Sequence, residues 1–357
     1  MKEMLSVIIP TYNEKDNIAP LVKRIHQALS GHDYEIVIVD DNSQDSTIEI
    51  AKKLMPQYPV KLFVRREERG LATAVIHGIK QASGNIIGVI DADLQHPPEV
   101  LPRLLEAVEG GADMVFASRY VKGGGCPNWG LSRRIVSKVA LKMAHIFLPS
   151  SRRVKDPLSG FFMFRREKVD LDKLKPIGYK IALEIMLVGS FKNIVEVPFV
   201  FEERSAGQSK LRPQQQFDYL KHLFSLMSRT GEFLRFVKFI AVGLTGTAVN
   251  LGVLKLVTLF TGWHETIQLI PGIEVSIITN FLLNDFFTFA DRRTGKTASF
   301  FGRMLKYNLL AFAGAFINWG VAALMVNAGV NIYLSDFVGI LIAFLWNYFF
   351  STIWAWK

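Results

Sequence analysis

Beyond Arg235 the chain turns apolar in four blocks, residues 239–260, 267–289, 305–326 and 333–356. Each runs about 22 residues, long enough as a helix to cross a hydrocarbon layer of about 30 Å. No other feature constrains the fold as hard. In lipid every backbone N–H and C=O must find its partner inside the protein, and a single helix achieves that. The connections give the direction of crossing. "TGWHE" and "NAGVNI", after the first and third blocks, carry no Lys or Arg, whereas "DRRTGKTASFFGR" after the second holds Arg292, Arg293, Lys296 and Arg303. Arg229, Arg235 and Lys238 precede the first block and Lys357 follows the last. All the basic flanks fall on one side, which is expected to be cytoplasmic, with both termini inside. A soluble helical core has no reason to show that asymmetry. The expected unit is an all-α membrane domain of four helices over residues 232–357.

The domain repeats itself. "RFVKFIAVGLTGTAVNLGV" from Arg235 aligns without a gap to "RMLKYNLLAFAGAFINWGV" from Arg303, an offset of 68, and "NFLLNDFFTF" from Asn280 resembles "NYFFSTIWAW" from Asn347, an offset of 67. Two tandem hairpins follow, related by an axis along the membrane normal. Gly243, Gly246, Gly252, Gly314 and Gly320 are expected to let helices approach closely. Lys255 and Glu274, inside the first hairpin, either pair with each other or reach the interface separately.

The preceding two-thirds has another rhythm. Short apolar runs at 5–14, 34–47, 60–66, 85–93 and 112–120 alternate with helical patterns at 17–29, 46–55, 71–83 and 97–110. This α/β alternation predicts a mostly parallel sheet with helices on both faces and a ligand crevice at the carboxyl ends of the strands. Those ends carry "PTYNE", "DDNSQD", "DADLQ" and "ASRY". The chain has no Gly-x-Gly-x-x-Gly after the first run and no P-loop lysine, which disfavours dinucleotide and P-loop enzymes. A net charge of +10 calls for an anionic partner. The membrane and a phosphate-rich substrate meet that need, so no nucleic-acid partner is expected. One cysteine, Cys126, excludes an intrachain disulfide framework. The opening "MKEMLSVIIPTYNE" has too short an apolar run for a signal peptide, so this part is expected in the cytoplasm.

Asp91 and Asp93 end an apolar strand two residues apart and can face the same side. Carboxylates there would repel a phosphate unless a divalent cation bridges them to it, and Gln95 adds a neutral oxygen ligand. Mg²⁺ or Mn²⁺ is the expected cofactor. Asp45, Ser46 and Thr47 are read as a helix N-cap. Helix 132–149 carries Arg133 and Ser137 at i, i+4, beside an apolar stripe of Val136, Val139, Ala140, Met143 and Phe147. Residues 213–229 are similarly amphipathic through Phe217, Leu220, Leu223, Phe224 and Met227. Both helices suit the membrane interface, the second forming a linker over 212–231.

The segments "SVIIPTYNE", "VDDNSQDST", "RGLATAVIHGIKQASG", "DADLQHPPE", "ASRY", "DPLSGFFMFRR" and "FEERSAGQSKL" occur in this order across residues 5–211. In them the chain resembles the family 2 glycosyltransferases with a GT-A (Rossmann-like) fold, and among these the polyprenyl (dolichyl) phosphate mannose synthases. The four-span region resembles the small membrane domains associated with O-antigen and teichoic-acid glycosylation. The resemblance implies a GT-A domain over residues 1–211. It also implies transfer of mannose from GDP-mannose to dolichyl or polyprenyl phosphate with inversion. Pro10, Tyr12, Glu14, Val39 and Asp41 would contact the nucleotide. Asp91, Ala92 and Asp93 would line the sugar nucleotide, with Asp93 and Gln95 on the metal. Arg204 and Lys210 would bind the departing diphosphate. Arg119 would join Arg133 and Ser137 on the lipid phosphate, so the catalytic set reads Asp91, Asp93, Arg119, Arg133 and Arg204. Three alternatives stay open: UDP-glucose or another nucleotide sugar as donor, a lipid-linked-sugar translocator with a loading domain, and a nucleotidyltransferase.

Overall fold

The computed structural model describes residues 3–203, 213–293 and 299–356. The chain divides into two compact units, Met1–Met227 and Ser228–Lys357.

In the first unit the expected alternation materialises as β1 (Leu5–Thr11), α1 (Ile18–Ala28), β2 (Tyr34–Asp40), α2 (Thr47–Leu54), β3 (Val60–Val64), α3 (Leu71–Gln81), β4 (Ile86–Val89), α4 (Leu101–Glu109) and β5 (Met114–Ser118). It continues through α5 (Leu131–Phe147), β6 (Phe162–Arg165), α6 (Ile181–Val188), β7 (Ile194–Pro198) and α7 (Pro213–Arg229). The sheet order is β3-β2-β1-β4-β6-β5-β7. β1 pairs in parallel with β2 and β4, whereas β6 runs antiparallel to both of its neighbours.

Side chains of a strand alternate between faces, so one apolar run serves two layers. Val7 and Ile9 of β1 and Ile36 and Ile38 of β2 pack with Leu21, Val22 and Ile25 of α1 and Leu104 and Leu105 of α4. Ile8, Val37 and Val39 point the other way, onto Val75 and Ile79 of α3 and the buried faces of α5, α6 and α7. Each such aliphatic side chain contributes about 1.5–3 kcal/mol by leaving water. A Cβ on Gly78 would stand 2.5 Å from Ile8, so glycine is what lets α3 lie this close to the sheet.

The two amphipathic helices divide their apolar residues. In α5, Ala140, Met143 and Phe147 join the core, while Leu131, Ile135, Val136 and Val139 stay exposed. In α7, Tyr219, Leu223, Leu226 and Met227 are buried, while Phe217, Leu220 and Phe224 are exposed. α7 packs on the first unit up to Met227, with His222 Nε2 at 2.9 Å from Glu184 of α6.

The second unit contains α8 (Glu232–Phe260), α9 (Glu265–Leu283), α10 (Phe300–Asn327) and α11 (Ile332–Phe350). All four, the second and fourth each extended by a π turn, are long and apolar enough to cross a membrane. The π turns, Asn284–Thr288 and Ser351–Ala355, stand at the repeat offset of 67. The close contacts recur too, at offsets of 67 and 68. Gly246 receives the Asn280 amide as Gly314 receives Asn347, and Gly272 meets Asn250 as Gly339 meets Asn318. Gly243, Gly252 and Gly320, expected at contacts, have open space where a Cβ would go. Lys255 and Glu274 make no ion pair with each other; both are exposed, each reaching its own surroundings. Buried Asp285 joins the hairpins, accepting from Arg303 Nε at 2.7 Å and Trp356 Nε1 at 2.8 Å.

Candidate active site

Among the described residues three non-glycine residues have left-handed backbone, Asn13 (φ 55°), Asn42 (φ 56°) and Leu94 (φ 61°). They follow β1, β2 and β4, so the strained backbone gathers at one edge of the sheet. Asparagine tolerates this conformation; leucine does so at a cost that surrounding structure has to offset. At Leu94 the turn folds Gln95 back so that its N–H meets Asp93 Oδ1 at 3.2 Å, while its carbonyl accepts from Glu202 N at 3.0 Å.

Beside this turn lies a cavity of about 460 Å³. Its wall combines Asp91, Asp93 and Gln95 after β4 with Arg119 after β5 and with Arg133 and Ser137 of α5. The expected donor carboxylates and acceptor cations thus share one chamber. Gly160 backs Asp91: a Cβ there would lie 2.4 Å from Asp91 Oδ2. Burial, reinforced by the negative charge of Asp93, pushes the Asp91 carboxyl up to about 7. His96, packed among Phe161, Phe199 and Phe201, is driven by burial down to about 4 and is neutral at physiological pH.

Asp91, Asp93 and Gln95 offer hard oxygen ligands, and two neighbouring carboxylates with an amide oxygen fit a divalent cation. Among the described residues no cluster of three or more His, Cys, Asp or Glu forms a complete cage. The set suits a metal shared with a ligand's own oxygens.

Arg119 is tied down. Its Nε and Nη2 each reach Asp156 at 2.8 Å, and its backbone N–H meets the same carboxylate at 3.1 Å. Burial lowers the guanidinium's pKa, but the charge and hydrogen bonds of Asp156 outweigh it, and the net shift is upward. Arg133 lies 4.4 Å over the Trp129 ring, and Ser137 Oγ meets Tyr120 OH at 3.0 Å.

The residues expected on the nucleotide do not line this cavity; they occupy the neighbouring ends of β1 and β2. Pro10 pairs with Val39 across the strands. Tyr12 lies under the Arg69 guanidinium at 5.3 Å, and Glu14 accepts from Asn17 Nδ2 at 2.8 Å. Asp41 is bound by Arg65 Nε at 2.8 Å and Gly70 N at 2.7 Å. Its neighbour Asp40 is consumed by Thr11 and Ser43. Ala92 is buried. Asp45 accepts the Thr47 N–H at 3.0 Å just before α2, while Ser46, at the N-cap position, makes no side-chain capping bond. Arg204 and Lys210 lie outside the described residues.

Sequence reasoning missed Arg65, Trp129, Asp156, Gly160 and Lys180. Asp156 and Gly160 stand in the quoted "DPLSGFF", so a signal existed; Lys180, a single charge before an apolar helix, gave none.

Residues 6–171 match the family described as Glycosyl transferase family 2, and residues 238–356 match the GtrA/DPMS transmembrane domain. Over 340 residues the chain is 47% identical to a dolichol-phosphate mannosyltransferase of Pyrococcus furiosus, covering 95% of this chain and 96% of that one. A Saccharomyces cerevisiae protein of the same name is 38% identical over 234 residues, 62% of this chain and 86% of its own. Among solved structures, glucosyl-3-phosphoglycerate synthase from Mycobacterium tuberculosis, in complex with Mn²⁺, UDP-glucose and phosphoglyceric acid, shares the fold. It aligns with a TM-score of 0.51 at 20% identity, over 64% of this chain and 80% of that one.

Proposed function

Since the chain belongs to the dolichol-phosphate mannosyltransferase family of family 2 glycosyltransferases and is a multi-pass membrane protein, we propose that it transfers mannose from GDP-mannose to dolichyl or polyprenyl phosphate. The observation that carries this reading is the single cavity in which Asp91, Asp93 and Gln95 stand beside Arg119, Arg133 and Ser137.

The donor lies with its nucleotide along Pro10, Tyr12, Glu14, Val39 and Asp41, and its sugar diphosphate by Asp91, Ala92 and Asp93. Asp93 and Gln95 would hold Mg²⁺ or Mn²⁺, which would supply neutralisation of charge on the diphosphate. Arg204 and Lys210 stabilise the leaving group. Arg119, Arg133 and Ser137 orient the lipid phosphate, Arg119 at an angle set by Asp156.

The acceptor needs no deprotonation. A phosphate monoester with a second pKa of about 6 is already dianionic at neutrality. One of its oxygens attacks the anomeric carbon as the carbon–oxygen bond to the diphosphate breaks, and the electron pair leaves with GDP. In-line displacement inverts the configuration. Catalysis comes from positioning and from charge stabilisation at both ends of the reacting line.

The GT-A domain is assigned to residues 1–211, with interfacial helices at 132–149 and 212–231. The four-span domain over 232–357 anchors it and presents lipid, with the catalytic domain and both termini cytoplasmic. The test is transfer from labelled GDP-mannose, UDP-glucose and UDP-N-acetylglucosamine to a polyprenyl phosphate, with and without chelator. Metal-dependent mannolipid from the first donor is expected. A product from UDP-glucose alone would replace the donor assignment.

A further inference from the structure

Lys180 begins α6 on the wall of the same cavity, with Arg119, Arg133 and Ser137. Its Nζ donates to the Leu158 carbonyl at 2.9 Å and stands 4.6 Å from the centre of the Tyr179 ring. Among the described residues no carboxylate comes within salt-bridge distance of this ammonium. The arginine beside it differs, because Asp156 holds Arg119 at two nitrogens and balances part of its charge. A dianionic ligand entering here meets an Arg119 whose charge is already shared with Asp156. An ammonium with three donors, one spent on a carbonyl, is costly to keep in a half-closed chamber unless an anion completes it.

We propose that Lys180 is a ligand of the acceptor phosphate, adding positive charge to that of Arg119, which Asp156 shares. The assignment rests on the mannosyltransferase reading above. Asp91 is the competing partner, since its charge acts on Lys180 together with those of Arg119, Asp156 and Arg133. Asp91, however, already shares its place with Asp93 on the donor side. Burial also lowers the Lys180 pKa to about 8, leaving the ammonium charged at neutrality yet deprived of water, the condition in which a phosphate oxygen binds it most strongly.

The test uses the full chain in detergent with Mg²⁺, comparing Lys180→Gln, which keeps a donor for Leu158, with Lys180→Arg, which keeps the charge. With GDP-mannose saturating, Lys180→Gln is expected to raise KM for polyprenyl phosphate about tenfold to hundredfold. The KM for GDP-mannose should stay within about twofold, and Lys180→Arg should recover most of the acceptor affinity. Equilibrium binding of labelled polyprenyl phosphate without donor should weaken in parallel, with the melting temperature unchanged. A rise in donor KM with a flat acceptor KM overturns the assignment, as does unaltered acceptor binding or an arginine variant as poor as the glutamine one. Failure of the wild-type chain to mannosylate polyprenyl phosphate is a separate result, and it removes the proposed function itself.

Discussion

Asp156, fully buried, holds Arg119 by two parallel hydrogen bonds of 2.8 Å, so the guanidinium edge facing the cavity has one orientation. Removing one partner of such a pair leaves an uncompensated buried charge, at a cost of about 3–5 kcal/mol. Asp156→Ala should therefore lower the thermal midpoint of the protein markedly. Asp156→Asn, which keeps the shape, should cost less stability and still lower kcat/KM for the lipid acceptor. Differential scanning calorimetry and acceptor kinetics separate the two effects.

Gly160→Ala is a more selective probe. The new methyl group would stand 2.4 Å from Asp91 Oδ2 and force the carboxylate to move. Misplacing a reacting group by about 1 Å can cost about hundredfold in rate. Turnover should drop by that order while circular dichroism and melting stay near wild type.

Metal removal addresses the acidic pair. Chelator should abolish transfer, and Mg²⁺ or Mn²⁺ should restore it. Asp93→Asn should lose about hundredfold or more with metal present, since one charged ligand is gone. Full activity of Asp93→Asn in EDTA would contradict the metal site.

The pH profile has two limbs. Activity should rise through about 6 as the acceptor phosphate becomes dianionic. It should fall above about 8, where Lys180 loses the charge that burial has made harder to keep. Stability runs the other way. The folded chain releases this proton near 8 and the unfolded chain only near its ordinary value of about 10.4. Between those values the unfolded state binds more protons, so this group's contribution to stability grows with pH. Asp91, pushed up to about 7, titrates in the same window. Lys180→Arg distinguishes them by removing the falling limb alone in rate measurements at subsaturating acceptor.

In the membrane unit, Gly246→Leu should destabilise the bundle by about 1–3 kcal/mol, because its Cβ would lie 2.2 Å from Asn280. Gly314→Leu should behave alike, and Gly252→Leu, with open space around it, should change little. Melting in detergent ranks the three.

Much of this architecture was legible in the sequence because it is written in uninterrupted patterns. β1, β2 and β4 are apolar runs ending in polar residues, and the spans are long and flanked asymmetrically. β6 and β7 escaped because "FMFR" is four residues long and "IVEVP" is interrupted by charge. Their place in the sheet is decided by neighbours rather than by their own periodicity. The site divided in the same way. Asp91, Asp93, Arg133 and Ser137 lie on a strand end or one helix turn, where spacing predicts proximity. Asp156 and Lys180 reach the cavity only through the tertiary fold, and a lone charge carries no spacing to read. Gly272 and Gly339 are contact points that the sequence pattern did not single out. Whether Lys255 and Glu274 pair was not legible either, since opposite charges in one hairpin pair only if their helices present them to each other.

The glycine–asparagine clasps lie within each hairpin, between α8 and α9 and again between α10 and α11. Each half thus carries its own closure and can fold as soon as it has entered the bilayer. The links centred on Asp285, to Arg303 and to Trp356, have to wait for the other half. During synthesis the membrane domain is therefore assembled as two prefabricated pieces and one late join, and a lesion at that join leaves two intact hairpins that fail to dock.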